Sequence, residues 1–405
     1  MPRQSQPAAA GMSPPAPAGF LLPLLALALG HVFSNAVRTL PAVATDLLTR
    51  DLAITAETLA AITGAFPAAF ALAMIPVGVA LDRYGVRPVA LTLLGIGAVG
   101  CAVAALAPGA GTLLAAQIVL GIGCSGMLMA PMTHAARVLD QGRFNLWSGL
   151  IQAIANGGML LSASPLAFLV EAAGWRAGFW ACLGLAGLAF AAVALTLPAA
   201  PPAREPGRTL AADTRAVIRL LGAPQLRGLF AIAFVSFGAV LGVRGLWGGP
   251  WLMEVKGLSR IEAGHVLFAA TLALVLGPPL AGLAVARLGR LPWLLAGGHV
   301  LAAGFILALL AGGPAGTGPA ADAALMLGFG LAISFQVLCF ARLRALVRPE
   351  EAGRALSAQN MYFFGGAAVL QGVSGLAALA GGVGAALASF ALALLLGAAL
   401  YLRRP

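Results

Sequence analysis

Apolar runs separated by short polar turns recur along all 405 residues of the chain. A helix crossing a bilayer needs about 20 predominantly apolar residues. Twelve segments meet that requirement: 20–45, 58–81, 89–107, 112–136, 144–170, 177–198, 228–252, 262–286, 292–312, 321–341, 355–379 and 383–402. The pattern predicts an all-α integral membrane protein with twelve transmembrane helices in two six-helix halves, residues 20–198 and 228–405. Between them, residues 199–227 read as a linker, the one long polar stretch, with Pro201, Pro202, Pro206 and several Arg. Residues 1–19 are rich in Pro, Ala and Ser and read as a cytoplasmic tail. The apolar run after them is too long, and lacks a cleavage site, for a removable signal peptide.

Composition narrows the class. With 60% hydrophobic and 9% charged residues and a mean hydropathy of +0.96, there is too little polar surface for a water-soluble globule. The 53 Gly and 26 Pro fit helices that use small residues to approach closely. Cys101, Cys124, Cys182 and Cys339 sit singly in apolar segments, without the spacing of a disulfide framework or metal site. The net charge of +11 comes from Arg gathered in alternate loops: Arg83, Arg87, Arg137, Arg143, Arg204, Arg208, Arg287, Arg290, Arg342, Arg344 and others on one side. The other side holds Arg50, Arg176, Lys256 and Arg260. The positive-inside rule makes the first side cytoplasmic, with both termini there, in an inner (plasma) membrane. Charge spread loop by loop along a membrane face, without interleaved aromatics, argues against nucleic-acid binding.

One loop carries more information than the rest. Gly78, Asp82, Arg83, Gly85, Arg87 and Pro88 lie between the second and third spans, and Gly282, Ala286, Arg287, Gly289, Arg290 and Pro292 repeat the pattern 204 residues later. This repeated motif resembles the loop between the second and third helices of major facilitator transporters. The resemblance implies two pseudo-symmetric bundles, a central substrate site near the midplane, and alternating access by rocking of the halves. It also implies that Asp82, with Gly78, Arg83, Gly85 and Arg87 around it, latches helix ends on the cytoplasmic side while the cavity faces outward. Asp82 as a solvated acid at a helix end is the plain alternative. Ala286 stands where the second copy would have its acid, so one strong latch, on the N-terminal half, is expected rather than two equal ones.

A charge inside a span costs at least about 2.5 kcal/mol at the membrane centre unless it faces water or a partner. Arg38 in the first span and Arg244 in the seventh are such charges, 206 residues apart and thus near-equivalent under the repeat. His31, Asn35 and Arg38 share one helix face, as do Arg244, Trp247 and Trp251. Two guanidiniums converging from opposite halves make a clamp for an oxyanion, with Trp247 and Trp251 as walls. The pair is similar to that on the same two helices of organophosphate:phosphate antiporters. Arg38 has an alternative: snorkelling to the outer interface, or pairing with Asp46. Asn145, Ser148, Gln152 and Asn156 form a polar stripe on the fifth span, and Asn360, Phe364 and Gln371 one on the eleventh. Gln152, Asn156, Asn360 and Gln371 are the expected orienting groups.

Energy coupling is barely marked. All Asp and Glu fall in loops or at span ends, so no intramembrane carboxylate stands out as proton carrier, and His31 and Asp46 are the candidates for proton coupling. Exchange or facilitated diffusion stays open beside it. Met127, Met129, Met132 and His134 have side chains that suit Cu(I), but Met127 and Met129 project to different faces. No H-E-x-x-H, G-x-S-x-G or paired intramembrane carboxylates point to an enzyme. The expected activity is secondary active or facilitative transport of a small organic anion by a monomer in the lipid bilayer, with no cofactor and no metal. Proton-coupled efflux of drugs or other hydrophobic molecules is the alternative, although the fifth-span G-x-x-x-G-P pattern of such antiporters is absent.

Overall fold

The computed structural model of the chain describes residues 19–54, 56–163, 165–199, 210–313, 318–348 and 351–403. The N-terminal tail, Arg204 and Arg208 lie outside them. The apolar runs are helical throughout: α1 Leu21–Val43, α2 Ala56–Tyr84, α3 Val86–Ala105, α4 Ala110–Val138, α5 Gln141–Ala163, α6 Pro165–Thr196, α7 Pro224–Val255, α8 Arg260–Leu288, α9 Leu291–Ala311 and α10 Pro319–Leu346. Ala352–Leu402 is one unbroken run that Gly381 and Gly382, both non-helical, divide into α11 and α12. Gly174 (φ 81°) plays the same part in α6, whose membrane-crossing body follows it. Among the described residues, ten helical runs are long and apolar enough to span a bilayer. The division at Gly381 and Gly382 and the more polar α5 bring the crossings to twelve, in two halves of six.

The repeated loop is visible in backbone geometry. Gly85 (φ 86°) separates α2 from α3, and Gly289 (φ 64°) caps α8 in the left-handed conformation that a side chain disfavours. These two residues are 204 apart, the same offset as the motif. The motif's first glycines serve packing instead. A methyl on Gly78 would overlap Ser357 of α11, and one on Gly282 would overlap the α5 backbone at Asn145 and Leu146. Both glycines let a helix of one half press against a helix of the other.

The apolar core shows where the halves meet. At the Asp82 end one continuous cluster joins Leu81, Val86, Ala281, Val337, Leu338, Ala355 and Leu356 across both halves. Away from that end a separate cluster around Val243, Trp251, Phe329 and Phe390 belongs to the C-terminal half alone. The two halves are therefore fused at the Asp82 end and have independent cores at the other. A helix of the linker region, Leu210–Leu221, buries Val217 and accepts a hydrogen bond from Tyr362 to Leu221 (2.8 Å).

One expectation changes. Lys256 and Asp322, placed by sequence in loops or at span ends, have side chains only 2% and 1% exposed and form an ion pair joining the end of α7 to the first turn of α10. A span end is not always wet, because neighbouring helices overhang it. Met127, Met129 and Met132 are buried among apolar neighbours, in keeping with core packing.

The glycine contacts make a prediction with a built-in control. Gly78→Ala and Gly282→Ala overpack the interface and lower stability by about 1–3 kcal/mol. Gly95→Ala, with open space around the new methyl, is neutral or stabilising. Thermal unfolding midpoints in detergent measure both, and equal shifts at all three sites would show that the close approach is unimportant.

Candidate functional site

A cavity of about 120 Å³ lies between the halves. It is lined from the N-terminal half by His31, Ser34, Asn35 and Arg38 of α1, Phe70 of α2, Ser125 and Leu128 of α4, and Gln152 and Asn156 of α5. From the C-terminal half come Arg244 of α7, Leu274 and Pro278 of α8, Gln336 of α10 and Asn360, Phe363 and Phe364 of α11, among others. Seven of the ten residues expected at a site thus meet in one place: His31, Asn35, Arg38, Gln152, Asn156, Arg244 and Asn360.

Their hydrogen bonds separate groups in use from groups left over. Asn35 donates through Nδ2 to the carbonyl of Ala155 (2.8 Å) and accepts at Oδ1 from Nη2 of Arg38 (2.7 Å), so it fixes the Arg38 head. Arg244 donates from Nε to Thr271 Oγ1 of α8 (2.7 Å). Among the described residues no carboxylate lies within ion-pair distance of either guanidinium. The side chain of Asp46 falls outside those residues. Buried Nδ1 of His31 and Oδ1 of Asn360 have no hydrogen-bond partner.

Asn156 does something the sequence did not announce. Pro278 has no N–H, so the carbonyl of Leu274 four residues earlier loses its helical partner. Asn156 Nδ2 fills the vacancy from the opposite half at 2.7 Å, while its Oδ1 accepts from Gln152 (3.2 Å). Its carboxamide is committed to joining α5 and α8, and orientation of a ligand falls to other groups.

Three expected residues stand elsewhere. Trp251 is 5% exposed within the C-terminal core, and Trp247 donates to Ser374 Oγ (2.9 Å), so neither walls the cavity. Arg244, Trp247 and Trp251 share a face only at about 100° per residue, but Leu241–Trp247 and Trp251–Val255 are π-helical. That wider i→i+5 winding advances each residue by a smaller angle and rotates the indoles off the Arg244 face. Gln371 shares a face with Asn360 but lies about 16 Å further along α11, beyond the cavity. Conversely, Ser34, Ser125, Ser334 and Gln336 line it unannounced; hydroxyls in apolar helices carry little signal, although Ser334 and Gln336 do interrupt an apolar span.

The Asp82 end is closed by polar contacts between the halves. Asp82, 8% exposed, accepts from the backbone N–H groups of Gly353 (2.8 Å) and Arg354 (2.9 Å) and from Arg354 Nε (3.0 Å), capping the N-terminus of α11. Arg137 approaches the same carboxylate at 3.3 Å from its own half. Arg87 donates to Ala194 O (3.0 Å) within the N-terminal half, and Arg83 lies 5.8 Å from the Tyr84 ring. Where the second copy has Ala286, Arg344 reaches across instead, donating to the carbonyls of Ala136 and Leu139 and to Gln141, over the ring of Phe144 (5.0 Å). Two unlike contacts thus meet at this end, one built on the Asp82 carboxylate and one on backbone carbonyls. Inter-half hydrogen bonds run from Asn156–Leu274 to this end, so the cavity is sealed on the Asp82 side.

A family model described as Major Facilitator Superfamily matches residues 27–371. The chain belongs to that superfamily. The superfamily is one of transporters, not enzymes. The chain is 26% identical over 178 residues to an uncharacterised MFS-type transporter of Mycobacterium tuberculosis, covering 44% of this chain and 31% of that one. It is 27% identical over 329 residues to the tetracenomycin C resistance and export protein of Streptomyces glaucescens, covering 66% and 59% respectively. The chain thus spans less than two thirds of the length of the curated relatives it matches. Among solved structures, the fucose:proton symporter of E. coli superposes with a TM-score of 0.78 at 15% identity over 96% of this chain and 99% of that one. The human organic anion transporter MFSD10 gives 0.74 at 17% identity over 96% and 100%. At these identities the structures establish the shared MFS fold.

For this MFS chain the Asp82 contacts yield a conformational test. Breaking a buried, hydrogen-bonded ion pair costs about 3–5 kcal/mol, as much as or more than the gap of a few kcal/mol between alternating states. Asp82→Asn is expected to lengthen the distance between spin labels at exposed Arg143 and Arg290, one on each half, as the Asp82 end opens. Electron–electron resonance reads the distribution, and an unchanged one would remove Asp82 from the closure.

Proposed function

We propose that this protein is a secondary transporter that moves a small organic anion by alternating access, with Arg38 and Arg244 as the anion clamp. The observation that carries the reading is the pair of guanidiniums, one from each half, lining one cavity with no carboxylate at ion-pair distance among the described residues. Leaving two charges in a membrane interior without a counter-ion is costly. A substrate oxyanion supplies the missing charge, and the fork geometry of Arg suits bidentate contact with carboxylate or phosphate. His31, with Nδ1 unpartnered beside Arg38, is the group best placed to exchange a proton as the anion arrives.

In this reading the protein is multi-pass in the inner membrane as a monomer, and the Arg-rich Asp82 end is cytoplasmic by the positive-inside rule. The arrangement described is then the outward-facing one, with Asp82, Gly78 and Gly85 serving closure of the cytoplasmic side. A second reading, export of hydrophobic molecules, draws support from the similarity to a relative named as a resistance and export protein. The two differ in cargo charge and direction.

Arg244→Ala should weaken binding of small organic anions by about 10- to 100-fold, and Arg244→Lys should recover only part of the loss. Calorimetry on the purified protein checks this, with the thermal midpoint as evidence of folding. Wild-type affinity in a folded Arg244→Ala protein would defeat the clamp. Proton-driven accumulation of a hydrophobic cation in inside-out vesicles, without anion transport, would favour export.

A further inference from the structure

Part of the cavity wall is aromatic. Phe70 from the N-terminal half and Phe237, Phe340, Phe363 and Phe364 from the C-terminal half line it. Phe364 stands between Phe70 and Phe237, with ring centroids 4.8 and 4.9 Å apart and tilted, so a row of rings bridges the halves. Phe340 and Phe363 form a second pair at 5.8 Å. All three separations fall in the range of about 4.5–7 Å in which aromatic rings attract beyond simple burial. Another ring placed there would extend an existing array.

Dimensions limit what fits. Phe237 and Arg244 lie on the same helix, seven residues or about 10 Å apart along its axis. That spacing is of the scale of one ring and its carboxylate. The cavity, about 120 Å³, is comparable with the roughly 150 Å³ one that takes benzene, which leaves no room for a second ring.

A third feature concerns the far side of such a ring. Asn360 is 2% exposed, lines the cavity, and its Oδ1 has no partner. An amide oxygen can only accept, so satisfying it requires a donor on the ligand or a trapped water. A buried polar atom left unpaired costs about 1–3 kcal/mol, which a ligand donor would relieve.

From these three features we infer that the cargo is a single-ring aromatic carboxylate carrying a hydroxyl or amino donor. The inference rests on the anion-clamp reading and deepens it. The carboxylate sits between Arg38 and Arg244, the ring lies against Phe364 and Phe237, and the donor meets Asn360. Inorganic phosphate or a short dicarboxylate satisfies the two Arg but leaves the phenylalanine wall and Asn360 without a partner.

The test is calorimetric binding to the full chain in lipid nanodiscs, using 4-hydroxybenzoate, benzoate, cyclohexanecarboxylate, succinate, inorganic phosphate and benzyl alcohol. The expected order places 4-hydroxybenzoate first, benzoate weaker by about 5- to 20-fold, and succinate and phosphate weakest among the anions. In Asn360→Leu the preference for hydroxybenzoate over benzoate falls below about two-fold. If succinate or phosphate binds and the aromatic acids do not, the aromatic class is wrong while the clamp stands. If benzyl alcohol binds and no anion does, both fall. An unchanged preference in Asn360→Leu overturns the assignment of the donor, and the wild-type series decides the class even if that variant fails to fold.

Discussion

The cost of leaving a charge or polar group unpaired inside a membrane organises this structure. Hydrocarbon offers no water to repair a missing hydrogen bond, so each intramembrane polar group must find a protein partner or face a wet cavity. Several polar groups of the chain follow that line. Lys256 and Asp322 satisfy each other, and Asp82 takes two backbone N–H groups and a guanidinium. His299 is held between Ser236 Oγ (2.6 Å) and the Leu295 carbonyl (2.8 Å). These groups are architecture. The guanidiniums of Arg38 and Arg244, Nδ1 of His31 and Oδ1 of Asn360 have capacity left over, and all four residues line one cavity. Buried atoms of Gln117, Thr133, Trp251, Gln359 and Tyr401 also lack partners, so what marks the site is residual capacity gathered with two guanidiniums around one cavity.

The same accounting explains how the halves hold together yet remain separable. Their interface uses helix backbones brought close by Gly78 and Gly282, plus few side-chain bonds, several of them to carbonyls. Pro278 frees the Leu274 carbonyl, and Asn156 occupies it. Such a bond can be exchanged for water in a cavity at small net loss, because a typical hydrogen bond contributes only about 0.5–1.5 kcal/mol net. Rigid-body rocking needs an interface of this kind, with glycine-smoothed surfaces and replaceable polar contacts.

What was legible in the sequence follows from the length scale of each signal. Twelve crossings and the repeated glycine motif were readable because bilayer thickness and positive-φ turns act on local sequence, and Gly85 and Gly289 occur where the motif put them. The gathering of Arg38 and Arg244 was readable because the repeat aligns residues that no local pattern connects. Trp247 and Trp251 were misplaced because π-helical winding has no composition signature that overrides the default period. Arg354 and Arg344 were visible only as loop charges, since partner choice across an interface depends on tertiary approach. Asn156 looked like a ligand-orienting group until the proline on a distant helix showed which carbonyl it completes.

Asymmetry between the two closures follows from the degenerate repeat. In the first copy the acid at Asp82 brings Arg137 and Arg354 to one buried point, so that contact is strong and all-or-none. In the second copy Ala286 leaves Arg344, 207 residues after Arg137, without a carboxylate at the equivalent place. Its guanidinium spreads over Ala136, Leu139, Gln141 and the Phe144 ring instead. Carbonyls and a ring hold a cation more weakly than a buried carboxylate and tolerate more displacement. In the proposed alternating access, opening on the Asp82 side would then be governed by one carboxylate, while the Arg344 contact would slide and reform as the halves rock. A symmetric pair of acids would lock both seams and raise the barrier to that motion; replacing one with Ala keeps closure specific without making it rigid.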